Sequence, residues 1–150
     1  MVWWSTRSSR FAISELRLRA GAAAWRLAQT FWVGGVWLLH FVMLPALQPI
    51  GLAPLLVEEI GAGLRALLVA FSAFCVVLQG LILAQAEGFP SLWQQARGRL
   101  LLGILLISAT YPLLRAGLPG AEFAPRFVYL LLGFCGALLV LQPVPGQPRS

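Results

Sequence analysis

The sequence contains no lysine and no aspartate, one histidine and two cysteines. Each scarcity removes a class of chemistry. With His40 alone and no aspartate, Ser/His/Asp catalysis and histidine-rich metal clusters are excluded in their usual forms. Cys75 and Cys135 lie far apart inside apolar runs, so no Cys-x-x-Cys or Cys/His zinc spacing exists. Free cysteine packs as a small hydrophobe, which is the plainer reading of both. No phosphate-binding loop or dinucleotide fingerprint occurs. The one close pair of carboxylates is Glu58 and Glu59; neighbours in sequence point to different sides of a helix and make a poor acid/base pair. The expectation is a protein that is not an enzyme and carries no cofactor.

Charge is scarce as well. Only 11% of the 150 residues are charged and 59% are hydrophobic, with a mean hydropathy of +0.83. Soluble domains carry about 25% charged residues. A water-soluble fold of this size has no room to hide so much apolar surface, and large exposed patches aggregate. A bilayer removes the difficulty. The net charge of +6 comes from eleven arginines against five glutamates. Those arginines flank apolar runs, where membrane topology puts them, and do not form the basic, aromatic-studded face of a nucleic-acid module. The expected partners are therefore the lipid bilayer and other membrane helices, with no nucleic acid.

Four apolar runs follow one another. The tail 1–24 is basic, with Arg7, Arg10, Arg17 and Arg19 against Glu15. Phe11, Ile13, Leu16 and Leu18 among them allow a short amphipathic helix on anionic lipid. Trp3, Trp4 and Trp25 suit the interfacial aromatic belt. The first span is expected over Trp25–Leu47, closed by Pro45 and Pro49. Its apolar stretch is longer than the roughly 7–15 residues of a signal-peptide core, so it reads as an uncleaved anchor. Pro54 is placed as a first helical residue, and the second span follows over Ile60–Gln85. Residues 86–99 form a polar connection. The third and fourth runs, Leu100–Leu114 and Phe127–Leu141, are short for a core of about 30 Å. Snorkelling of Arg97, Arg99, Arg115 and Arg126 extends them, with a re-entrant hairpin as the competing reading. Residues 142–150, with three prolines, form a flexible tail. The reading is an all-α, integral membrane four-helix bundle with a transmembrane domain over 25–141, left-handed and antiparallel because its loops are short.

Arginine placement sets the orientation. With the N-terminus inside, the tail, the second loop and Arg149 put most arginines in the cytoplasm, leaving Arg115 and Arg126 outside. A multi-pass protein of the bacterial inner membrane with both termini cytoplasmic is expected.

Several residues are candidates for function. His40 and Met43 share a helix face and are plausible copper(I) ligands, with Cys75 or Cys135 as a third. The plainer reading is a neutral imidazole bonded to a neighbouring helix, and no metal site is expected. Arg65 sits inside the second apolar run with Glu58 and Glu59 one to two turns earlier. It either snorkels to the interface or pairs between helices in a polar cavity. Gly34 and Gly35, and the stripe Ala62, Ala66, Ala70 and Ala73, are expected to serve close helix packing. Ser108, Thr110, Tyr111 and Pro112 mark a polar kink, where hydroxyls are expected to satisfy backbone groups freed by the proline.

The run Phe31-Trp32-Val33-Gly34-Gly35-Val36-Trp37, continuing to Leu44-Pro45-Ala46-Leu47, resembles the first-helix signature of a bacterial inner-membrane family of unknown function. That family is similar to the eukaryotic transmembrane protein 205. Ile60-Gly61-Ala62-Gly63-Leu64 resembles its second-helix opening. The resemblance implies a four-helix membrane bundle and supplies no catalytic residues. The leading functional expectation is a non-enzymatic accessory, scaffold or homo-oligomeric protein acting through helix contacts. The alternative is a component of a transporter or channel for a metal ion or small solute.

Overall fold

A computed structural model describes residues 3–117 and 123–145, with side chains described from residue 12 onward. Helix is the only regular structure among them. Helix α1 covers Trp3–Leu38 and continues without a break through a π-helical turn, Leu39–Met43, a short helix, Leu44–Leu47, and a 3-10 turn, Gln48–Ile50. Helix α2 covers Pro54–Glu87. A one-turn helix, Ser91–Gln94, precedes α3 at Ala96–Gly117, and α4 covers Phe123–Val140.

All four long helices are long and apolar enough to cross a membrane. Helices α3 and α4 exceed their apolar runs: 22 and 18 residues rise about 33 and 27 Å at ~1.5 Å each, close to a hydrocarbon core of about 30 Å. Two complete helices thus stand where a re-entrant hairpin was the competing expectation. The first span also differs from expectation. Helix α1 runs through positions 24 and 25, so no break separates the basic tail from the span. Residues 12–20 are exposed, though Arg17, Leu18 and Ala20 line a shallow pocket with the end of α2 and Pro145. Pro45 does not close the helix. Its ring would crowd the carbonyl of Phe41 in a regular α-helix. The wider π turn precedes it, closed by the Leu44 N–H on the Leu39 carbonyl. The chain stops instead at Gly51, whose φ of 78° needs glycine's freedom.

Many buried positions on α2, α3 and α4 recur at steps of three and four. On α2 they include Arg65, Val69, Ser72, Val76, Gln79 and Leu83. On α3 they include Leu101, Ile104, Ser108 and Tyr111, and on α4 Tyr129, Leu132, Gly136 and Leu139, with Gly98 and Gly133 buried as well. This 3.5-residue average is the seam of left-handed packing. The opposite faces carry large exposed apolar residues seven apart, such as Leu67, Phe74 and Leu81 on α2 or Phe127, Phe134 and Leu141 near α4. Apolar residues thus face outward while Gln29, Arg65, Ser72, Gln79 and Ser108 lie inside. That distribution fits lipid as solvent. The chain is a multi-pass membrane protein.

Each helix packs against its sequence neighbour, and α1 also packs against α4, closing an up-down-up-down bundle. Glycine contacts give the register. A Cβ at Gly21 would meet Ile82, one at Gly35 would meet Leu68, and one at Gly61 would meet Leu44. As α1 advances α2 recedes, so the pair is antiparallel. Gly133 and Gly136 on α4 lie against Val36, Val33 and Trp32 of α1 in the same sense. Two ends result: a proximal end, where α2 finishes and α3 begins, and a distal end, where α1 finishes and α2 and α4 begin.

Candidate functional site: a polar pocket at the distal end

The distal site is built from three helices. Arg65 is the twelfth residue of α2, some 16 Å along its axis at ~1.5 Å per residue. Its side chain is only 9% exposed. Helical side chains lean toward the N-terminus, which directs this one back over Gly61. A Cβ at Gly61 would lie 3.4 Å from Arg65 Nη1 and 2.9 Å from Leu44 Cδ2, so glycine there makes room for the guanidinium. Arg65 Nη2 then donates to Glu58 Oε1 at 2.8 Å, two turns earlier. The side chain thus leans toward the N-terminal end of α2 and makes its ion pair within that helix.

The other carboxylate oxygen, Glu58 Oε2, takes Arg126 Nη2 of α4 at 2.8 Å. Glu58 thereby bridges α2 and α4, which otherwise lie across the bundle from one another. Glu59 is exposed on the next position and is absent from the pocket lining. His40, Pro45 and Gln48 of the irregular end of α1, with Tyr129 of α4, complete a half-open pocket of about 270 Å³.

Tyr129 fixes one wall. Its hydroxyl donates to the Val36 carbonyl at 2.8 Å, one turn before the π segment. The ring is 1% exposed. The His40 ring stands 6.3 Å from Tyr129 and edge-on to Phe41 at 5.0 Å. The π turn puts His40 and Leu44 toward the pocket, whereas Met43 faces outward. His40 and Met43 therefore do not work as one pair. Cys75 is buried in α2 and Cys135 half-buried in α4. Among the described residues no group of three or more His, Cys, Asp or Glu comes together.

The small residues divide. Gly35 packs on Leu68, with Cβ space of 3.3 Å, but a Cβ at Gly34 would meet nothing within 4 Å. The tight α1–α4 contact belongs instead to Gly133 and Gly136, which were not singled out from the sequence. Their spacing of three in an apolar helix was the available signal. The alanine stripe splits too. Ala62 is half-buried, while Ala66, Ala70 and Ala73 line an apolar groove of about 320 Å³ between α2 and α3, floored by Ser108 and Tyr111 and edged by Pro112. The hydroxyls near Pro112 do not serve the carbonyl the proline leaves open. Ser108 Oγ donates to Ile104 and Thr110 Oγ1 to Ile107, each within its own preceding turn.

Two further polar groups tie the bundle. Gln79, fully buried, accepts from Trp32 Nε1 and donates to the Trp25 carbonyl, both at 3.3 Å. Trp25 is 1% exposed and belongs to the core rather than to an interfacial belt. Trp3 and Trp4 fall outside the residues with described side chains. At the proximal end Arg97 pairs with Glu87 at 3.0 Å and donates to the Pro143 carbonyl at 2.8 Å, while Gln95 also donates to Glu87. The start of the C-terminal tail is thus fastened to α3; residues after 145 lie outside the described region.

No protein-family model matches this chain, and no curated protein or solved structure matches it significantly.

Proposed function

We propose that this chain is a non-enzymatic, multi-pass protein of the bacterial inner membrane that acts through helix contacts, as an accessory subunit or a homo-oligomer. In this reading both termini are cytoplasmic, the distal end faces outward, and the chain is a member of the family similar to transmembrane protein 205. One observation carries it. Helix α2 presents Ala66, Ala70 and Ala73 to a groove that α3, edged by Pro112, does not fill. Small residues let helix backbones approach closely where lipid offers no hydrophobic drive. In this chain that surface is left for a helix from outside.

The test is purification from native membranes in mild detergent, comparing wild type with Ala70→Leu and Ala73→Leu. A stoichiometric partner or a dimer that the leucines abolish supports the reading. A monomer without partner in wild type overturns it. A cytoplasmic reporter fused after Ser150 is expected to be active; activity of a periplasmic reporter there would reverse the orientation.

A second reading, a transporter or channel component for a metal ion or small solute, is favoured by a different observation: a half-open polar pocket around Arg65 and Glu58 is lined by three helices of the bundle. Polar groups at such positions mark solute pathways in many membrane proteins.

A further inference from the structure

We propose that the distal pocket is a binding site for a phosphate group, held between Arg65 and Arg126. The inference is independent of the groove and of the helix-contact reading.

The argument begins with charge. Arg65 and Arg126 share a single carboxylate, one on each oxygen of Glu58. Among the described residues that line the pocket, Glu58 is the only acid. Among the described residues two guanidiniums thus share one carboxylate, and the one on Arg65, nine-tenths buried, has only part of a counter-charge. A buried charge that is incompletely neutralised is costly. Each guanidinium has five N–H donors in a planar fork and uses one nitrogen on Glu58. The remaining donors suit the oxygens of an oxyanion.

Geometry supports the same assignment. The two guanidiniums approach opposite oxygens of one carboxylate, and both line the same pocket. The pocket, at about 270 Å³, is far larger than the ~30 Å³ share of one water molecule. Gln48 and His40 add further polar groups to the lining. The pocket is half-open and is lined from the first turns of α2 and α4, by Val57, Glu58 and Arg126. Two sources deliver phosphate there: the phosphodiester of a phospholipid headgroup, and a small free phosphomonoester.

The experiment uses the full chain and three forms: wild type, Arg126→Gln and Glu58→Gln. Arg126 is 43% exposed, so its replacement leaves the core intact. Glycerol 3-phosphate is titrated into detergent-solubilised protein by calorimetry. Separately, each form is placed in nanodiscs of phosphatidylglycerol mixed with a phosphate-free galactolipid, and retained phospholipid is counted by native mass spectrometry. Arg126→Gln is expected to weaken binding about tenfold or more, as for a lost charge-assisted hydrogen bond. Glu58→Gln removes the competing carboxylate, frees both guanidiniums and is expected to tighten binding. A merely structural ion pair predicts no such opposite pair of effects. Saturable glycerol 3-phosphate binding with this pattern assigns a free phosphomonoester. One phosphatidylglycerol per chain with the same pattern, and no response to glycerol 3-phosphate, assigns a lipid headgroup. Absence of saturable binding in both formats, or binding indifferent to both substitutions, overturns the proposal.

Discussion

Gly136→Ala is expected to destabilise the bundle although it adds one methyl group and improves helix propensity. The new Cβ would lie 2.7 and 2.9 Å from two ring carbons of Trp32 and 2.9 Å from Val33 Cγ2. Comfortable carbon–carbon contact is about 3.5–4.0 Å. Relief requires Trp32 to move, and it is held. Its ring is fully buried, and its indole N–H is bound to Gln79, which is itself bound to the Trp25 carbonyl. Overpacking of this kind costs about 1–3 kcal/mol, and alanine returns about 0.5–1 kcal/mol in helix propensity. The net expectation is a loss of up to about 2.5 kcal/mol relative to wild type, and of about 1–3 kcal/mol relative to a glycine replaced where there is space. Gly34→Ala is the control. It adds the same methyl on the same tightly packed pair of helices but meets nothing within 4 Å, so only the propensity gain remains. The assay is reversible unfolding in mixed detergent micelles, titrated with dodecyl sulfate and followed by far-ultraviolet circular dichroism. If Gly136→Ala proves as stable as Gly34→Ala, the close α1–α4 packing described here is wrong.

Three further outcomes are expected in the same assay. Removing either partner of the distal ion pair is asymmetric. Arg65→Leu leaves Glu58 half exposed and still bound to Arg126, at a cost of about 0–1 kcal/mol as for a surface pair. Glu58→Gln strands the buried guanidinium and is expected to cost about 1–3 kcal/mol, short of the ~3–5 kcal/mol of a fully buried broken pair because Glu58 is itself 48% exposed; equal costs would contradict the burial of Arg65. Gln79→Leu deprives Trp32 Nε1 of its acceptor and is expected to cost about 1–3 kcal/mol, with a shifted tryptophan emission as a second readout. Tyr129→Phe deletes only the hydroxyl bound to Val36 and is expected to cost about 1 kcal/mol; no change would mean that the Val36 carbonyl is satisfied without it.

The number of helices and their apolar character were legible because both follow from composition and run length. The ends of helices were not, for physical reasons that differ case by case. Apolar runs understate α3 and α4, since Arg97, Arg115 and Arg126 belong to the helices while their charges reach the ends. Pro45 read as a terminator because the rule assumes an unbroken α register, and the π turn before it evades the rule. Trp25 read as interfacial because aromatic position along a span says nothing about which face of the helix it occupies. In the site, Arg65 and Glu58 were legible as a charge anomaly in an apolar run, although Glu59, read with them, stays outside the pocket. Arg126 was not, since its role depends on α4 folding back to the end where α2 begins. Gly34 and Gly136 illustrate the same limit: both are glycines in apolar helices, and only the facing residue distinguishes them.

The irregular end of α1 connects these features. A regular helix there would turn His40 and Leu44 about the axis and separate them from α2 and α4, because one residue of register shifts side chains by about 100° at 3.6 residues per turn. The π turn absorbs that residue. Upstream of it, Trp32, Val33 and Val36 lie against Gly133 and Gly136; downstream, Leu44 lies over Gly61, whose missing side chain admits Arg65. Tyr129 pins the junction through the Val36 carbonyl. The tight contact of α1 with α4 and the opening that receives the Arg65 guanidinium thus share one helix and are separated by a single register change. Glycine serves both, in one place by letting backbones close and in the other by leaving space beside a charge.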